Sequence, residues 1–169
     1  GWAEGAPYGL WYNGFYIPAF ECLKQTTGFD LWQRPFFNNV RQFFFYCTSV
    51  RGEIRPFGDS AEKGGPGERG GSGYADLMSH HAHRFNDPYV GWWVNQIQGW
   101  SGGSGRTALL FEDELPSKAP TDIPQSRVFR GVGWAGLHGN LADVDNDTCF
   151  IFKSSPYGSV SHSHADQNC

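Results

Sequence analysis

Hydrophobic positions recur at helical spacing through the first half of the chain and in short, turn-broken runs after about residue 127. That change of period predicts a helical part followed by a sheet-forming part. Between Gly9 and Thr27, Leu10, Trp11, Phe15, Ile17, Phe20 and Leu23 trace a helix that Gly14 and Pro18 weaken. Asp30 is placed to cap the next element, and Pro35 suits a first helical turn. Phe36, Phe37, Val40, Phe43, Phe44 and Cys47 then cover a broad apolar face. A third helix is predicted over Gly73 to Phe85, and Asp87 with Pro88 reads as the cap and first turn of a fourth over Tyr89 to Ile97. Residues 51–73, glycine-rich and charged, read as an exposed loop. Residues 99–126, with GWSGGSG, Glu112, Asp113, Glu114 and three prolines, read as a linker or crossover. Beyond them Val128, Phe129 and the Gly131 to Trp134 segment, a polar turn at Asp143 to Thr148 and the run Cys149 to Phe152 predict short antiparallel strands. The class is α+β, and so small a sheet requires a partner surface.

Composition sharpens this in three ways. Only 18% of residues are charged while 17% are aromatic, with 23 glycines and 10 prolines, so the fold is dominated by buried rings and by turns. A formal net charge of −4 argues against a general nucleic-acid-binding surface, and an anionic ligand would need local positive charge. No apolar run reaches 18 residues and no secretory leader is visible, so neither a membrane span nor a signal peptide is expected. Cys22, Cys47, Cys149 and Cys169 form no CxxC pair. Cys22 and Cys47 sit in apolar sequence and read as small buried thiols.

Chemistry concentrates at the two ends. In an extended strand, His162, His164 and Asp166 would project to one face, where they could ligate a metal or polarise a substrate oxygen. Glu4, Tyr8 and Tyr12 stand at successive i,i+4 positions, so a helix would line up a carboxylate and two phenols. A phenol near cationic groups can serve as a general base. Each tyrosine also fits a packing role in so aromatic a chain. His80, His81 and His83 read as structural or surface histidines, with no acidic partner at matching spacing, and His138 has a weak case. The glycines of residues 58–73 form neither GxGxxG after a strand nor GxxxxGKS, which removes support for phosphate cradling.

At these residues the chain resembles the heparinase II/III-like superfamily of polysaccharide lyases. The segments that carry the resemblance are GWAEGAPYGLWYNGFY at 1–16, RPFFNNVRQFFFYC at 34–47, RGEIRPFGDSAE at 51–62, FRGVGWAGLHGN at 129–140 and, most specific, FKSSPYGSVSHSHADQN at 152–168. The resemblance spans essentially the whole chain. It implies the C-terminal part of an (α/α) toroid over residues 1–105, a crossover over 106–126 and the first strands of an antiparallel β-sandwich over 127–169, an internal fragment of a longer protein. It also implies β-elimination in an acidic polysaccharide containing uronic acid, in a periplasmic or extracellular setting. Tyr8 is the first candidate for the proton-transferring phenol and Tyr12 the second. His162 resembles the sandwich histidine that reaches the cleft, and His164 the neighbouring ligand of a wall-stabilising Zn2+. Asp166 and Gln167 would orient that segment. Glu4, Arg55, Asp59, Glu62 and Asn168 are candidate substrate contacts, Arg55 being the natural partner for a carboxylate.

Two other functions fit parts of the sequence. The HxHxD segment at 162–166 also resembles the HxHxDH signature of metallo-β-lactamase-type hydrolases, with Gln167 in place of the final histidine. Seven Trp and seven Tyr would equally suit a non-catalytic carbohydrate-binding fragment, provided that its rings are exposed.

Overall fold

The computed structural model describes the backbone of residues 6–48, 71–96, 110–111 and 113–154, and the side chains of all of these except 6–8, 10, 11 and 71–74. Among the described residues, four helices with given bounds precede a small sheet: α1 (Ala6–Thr27), α2 (Pro35–Cys47), α3 (Gly71–Phe85) and α4 (Pro88–Gln96), then β1 (Ser126–Phe129), β2 (Trp134–His138) and β3 (Cys149–Lys153). The mixed α+β class read from the sequence is the class observed.

Local signals set most boundaries. The first helix runs unbroken through Gly14 and Pro18 and stops at Gly28, whose φ of +75° suits a residue without Cβ; its N–H reaches back to Lys24 O at 2.9 Å. Asp30 caps a short 3-10 turn, Leu31–Gln33, by accepting from the Trp32 N–H at 3.0 Å, and Pro35 opens α2. Asn86, at φ +47°, ends α3, and Asp87 Oδ1 then accepts from the N–H groups of Tyr89 and Val90, capping α4. The same carboxylate turns its other oxygen to Arg41 Nε at 2.7 Å and Gln42 Nε2 at 2.9 Å, tying α4 to α2.

Helix α2 is the centre of the molecule as described. Phe43, Phe44, Phe45, Tyr46 and Cys47 are all buried, and five consecutive buried residues exceed any single helical face. The helix must therefore be covered on several sides, and it packs against α3, α4, β1 and β2. On its helical side, Trp32, Phe20 and Phe37 meet edge to face with centroids 4.7–5.8 Å apart. On its sheet side, Phe43 meets Phe129 and Trp134, each at 5.3 Å. Helices and sheet thus share one hydrophobic core. Residues 113–125 of the expected crossover are irregular, yet they lie against that core. Tyr46 Oη donates to Pro124 O at 2.7 Å, and a Cβ on Gly91 of α4 would strike Pro116 O.

The strands pair in the order β1-β2-β3, all antiparallel, as the turn-broken pattern predicts. Register separates two faces. Phe129, Trp134, Gly136, His138 and Ile151 share the face that meets α2. Val128, Ala135 and Phe152 form one cross-strand row of the other face, and Ser126, Leu137 and Phe150 the next. Val128, Leu137, Phe150 and Phe152 are all exposed there.

One cysteine reading is corrected. Cys47 is fully buried, but Cys22 is exposed, because α1 turns the neighbouring Glu21 inward instead.

Candidate functional site

Helix α1 carries both tyrosine candidates, Tyr8 and Tyr12, one turn apart in a continuous helix. Tyr12 is half-buried. Tyr16 continues the same row and stacks on Phe20 at 5.5 Å, so the lower end of the row is anchored in the aromatic core. Glu4, Arg55, Asp59, Glu62, His162, His164, Asp166, Gln167 and Asn168 lie outside the described residues. The last described strand, β3, ends at Lys153, whose side chain is buried on the α2-facing side.

Two buried polar clusters lie outside the sequence expectations. In the first, Glu21 of α1, 4% exposed, accepts from His80 Nε2 at 3.1 Å and from the Arg84 guanidinium, both on α3. Burial, reinforced by the Arg84 charge, pushes His80 down to about 3, so it donates as a neutral ring while Arg84 balances the carboxylate. His81 is likewise pushed down to about 3 by burial and donates from Nδ1 to Leu77 O at 2.9 Å. The pairing crosses from residue 21 to residues 80 and 84, and no local spacing rule signals it.

In the second, His138 of β2 sits at the joint between sheet and α2. Its Nε2 faces Tyr46 O at 2.9 Å and its Nδ1 faces Asp147 Oδ2 at 2.6 Å. A carbonyl and a carboxylate both accept, so both ring nitrogens donate and the ring is held as an imidazolium. Burial opposes that charge, but the facing Cys149 sulfur at 3.8 Å, the Asp147 carboxylate and the Tyr46 carbonyl outweigh it and push His138 up to about 9. Asp147 is itself fixed, accepting from the Asn140 N–H at 2.9 Å. The signal available in the sequence is an acidic turn nine residues after a histidine that closes an apolar strand.

These shifts have opposite consequences for stability. Raised above its unfolded value of 6.5, the His138 pKa contributes stabilisation that is complete below pH 6.5 and lost as pH rises through about 9, on the order of 3 kcal/mol in all. His80 and His81, depressed from 6.5, stabilise above pH 6.5 and lose that contribution as pH falls toward 3. Thermal melts from pH 4 to 10 are therefore expected to peak near pH 6.5. The fall on the alkaline side should flatten in His138→Gln; an identical alkaline slope in both proteins would disprove the buried imidazolium.

Among the described residues, no group of three or more His, Cys, Asp or Glu side chains is placed to hold a metal ion, and no helix is long and apolar enough to cross a membrane. Compared with known proteins, the chain matches no family model and no curated protein sequence.

Proposed function

We propose that this chain is part of a polysaccharide lyase that cuts an acidic glycan by β-elimination at a uronic acid unit. The observation that carries the reading within the described residues is the unbroken helix α1, which sets Tyr8 and Tyr12 on successive turns beside a core-anchored Tyr16. It supports the expectation, drawn from the resemblance, of a helix-borne phenol row. The finer architecture belongs to the same proposal: a toroid end followed by the first layer of a sandwich. The apolar outer face of the sheet supports it, because a sandwich layer buries both a helix-facing and a sheet-facing side.

The chemistry has three demands. The C5 proton of a uronate is weakly acidic, so charge on its carboxylate must first be neutralised. A phenolate at Tyr8 or Tyr12 then removes the C5 proton, and the C–H electron pair becomes the C4–C5 double bond. The C4–O bond breaks, and the leaving oxygen takes a proton from the phenol so formed or from His162. His162 assists at the carboxylate or at that proton transfer. The Zn2+ implied beside it would be held by His164 and stabilise the cleft wall, with Asp166 and Gln167 orienting the segment. No step runs through it. Glu4, Arg55, Asp59, Glu62 and Asn168 would hold the sugar.

In the binding-only alternative Trp32, Trp93 and Trp134 take no part, because their rings are buried in the core, and sugar contact would fall to exposed rings such as Phe36. Elimination and hydrolysis differ in product. Incubation with a panel of polyuronates is expected to generate ultraviolet-absorbing unsaturated ends. Separate Tyr8→Phe, Tyr12→Phe and His162→Ala variants should show about 10²- to 10⁴-fold loss in His162→Ala and in one of the two tyrosine variants. Unchanged elimination in all three would reject the assignment, and saturated new reducing ends would favour metal-assisted hydrolysis.

A further inference from the structure

A cleft of about 540 Å3 lies between the first turns of α2 and the β1-β2 hairpin. Its size falls within the range of small-ligand sites, roughly 300–1,000 Å3. The floor is apolar, with Phe43 buried and Phe129 half-buried. The rim is exposed and holds Phe36, Asn39, Arg127 and Arg130.

The electrostatics of the rim are one-sided. Elsewhere Arg41 is matched with Asp87, Arg84 with Glu21, Lys24 with Asp30 and Lys118 with Asp122. Among the described residues, neither Arg127 nor Arg130 faces a carboxylate. Arg127 is nonetheless held in place. Its Nη1 donates to Gln42 Oε1 at 3.2 Å, Gln42 donates in turn to Asp87, and the guanidinium lies 5.9 Å from the ring centroids of Tyr46 and Phe129. Helix α2, 13 residues long, adds its positive end, since its first turn carries no acidic residue and its N-cap, Arg34, makes no side-chain cap bond. Phe36, 51% exposed at the rim, offers a flat apolar face beside this positive potential.

We propose that this cleft is a binding subsite for a uronic acid unit of an acidic glycan, the sugar's C–H face lying on Phe36 and its carboxylate meeting Arg127 and Arg130. The assignment rests on the reading of the chain as acting on such glycans, and it specifies where a unit away from the reacting bond is held. A carboxylate satisfies two guanidiniums that lack an anionic partner among the described residues, whereas a neutral sugar would leave their charge unused. An open rim around an apolar floor suits one unit of a polymer that continues on either side.

The test uses a saturated tetragalacturonate and a saturated tetramannuronate, each beside a neutral tetrasaccharide of the same linkage, with affinity read by titration calorimetry. At least one uronate tetramer should bind at least tenfold tighter than its neutral counterpart. Arg127→Gln, Arg130→Glu and Phe36→Ala should each weaken that binding about tenfold, with unchanged melting temperature because these side chains are exposed. On a cleaved polymer the same variants should raise KM while leaving kcat in place. Equal binding of neutral and acidic tetramers, undetectable binding of both uronates, or unchanged affinity in Arg130→Glu and Phe36→Ala would each overturn the subsite. The lyase reading fails separately, by the absence of unsaturated ends in the elimination assay.

Discussion

Replacing Glu21 by Ala is expected to lower the unfolding free energy by about 3–5 kcal/mol, the cost of stranding a buried charge. Glu21 is nearly inaccessible and accepts from both His80 and Arg84. Without it, the Arg84 guanidinium, only 17% exposed and lying over the Phe111 ring, retains its charge with no other ion-pair partner among the described residues. His80 loses its acceptor as well. The penalty comes from the uncompensated partner more than from the net worth of the pair. A double variant, Glu21→Leu with Arg84→Met, should therefore be less destabilised than Glu21→Ala alone. Urea unfolding of the wild type, Glu21→Leu, Arg84→Met and the double variant closes the cycle. A loss below about 1 kcal/mol in Glu21→Ala would show that the carboxylate is dispensable to the α1-α3 contact.

Gly136→Ala should cost about 3 kcal/mol and loosen the joint between sheet and helix. Gly136 stands mid-strand on the face that meets α2, and a Cβ there would overlap the Tyr46 carbonyl. Backbone cannot yield as the end of a flexible side chain can, so β2 and α2 would have to separate. The same carbonyl accepts from His138 Nε2, and separation would also weaken the buried imidazolium. Gly14→Ala provides the contrast. Among the described residues a Cβ at Gly14 meets nothing within 4 Å, so in the middle of α1 this change should stabilise by about 0.5–1 kcal/mol. Comparable melting temperatures for the two glycine variants would refute the close-approach argument.

The sheet outlines which parts of such an architecture can be read locally. Val128 to Phe152 carries turns, β-branched residues and rings at strand spacing, and three antiparallel strands form there. The phenol row is legible for the same reason, since helical periodicity alone relates Tyr8 to Tyr12. Cys22 shows where such reading fails. Its apolar neighbours suggest a buried thiol, yet α1 exposes Cys22 and buries Glu21. Periodicity treats a carboxylate as a surface marker, and it cannot register an arginine arriving from a helix about sixty residues away. Local sequence undervalues His138 on similar grounds: one of its acceptors, the Tyr46 carbonyl, belongs to a helix in the first part of the chain.

Asp87 holds both kinds of information in one side chain. Its position before Pro88 marks a helix cap in the sequence, and one carboxylate oxygen performs that role for Tyr89 and Val90. Its other oxygen binds Arg41 and Gln42, which no reading of neighbouring residues specifies. From sequence alone came the helical first part, the cap at Asp87, the switch to short strands and the spacing of the tyrosine row, because those depend on residues within a few positions of one another. The tertiary structure decided that helices and sheet share one core around α2, that Glu21 is buried against Arg84, that His138 is charged within the joint, and that two arginines with no anionic partner among the described residues border a cleft. Each of these depends on groups brought together from distant parts of the chain, whose proximity is set by packing and not by sequence distance.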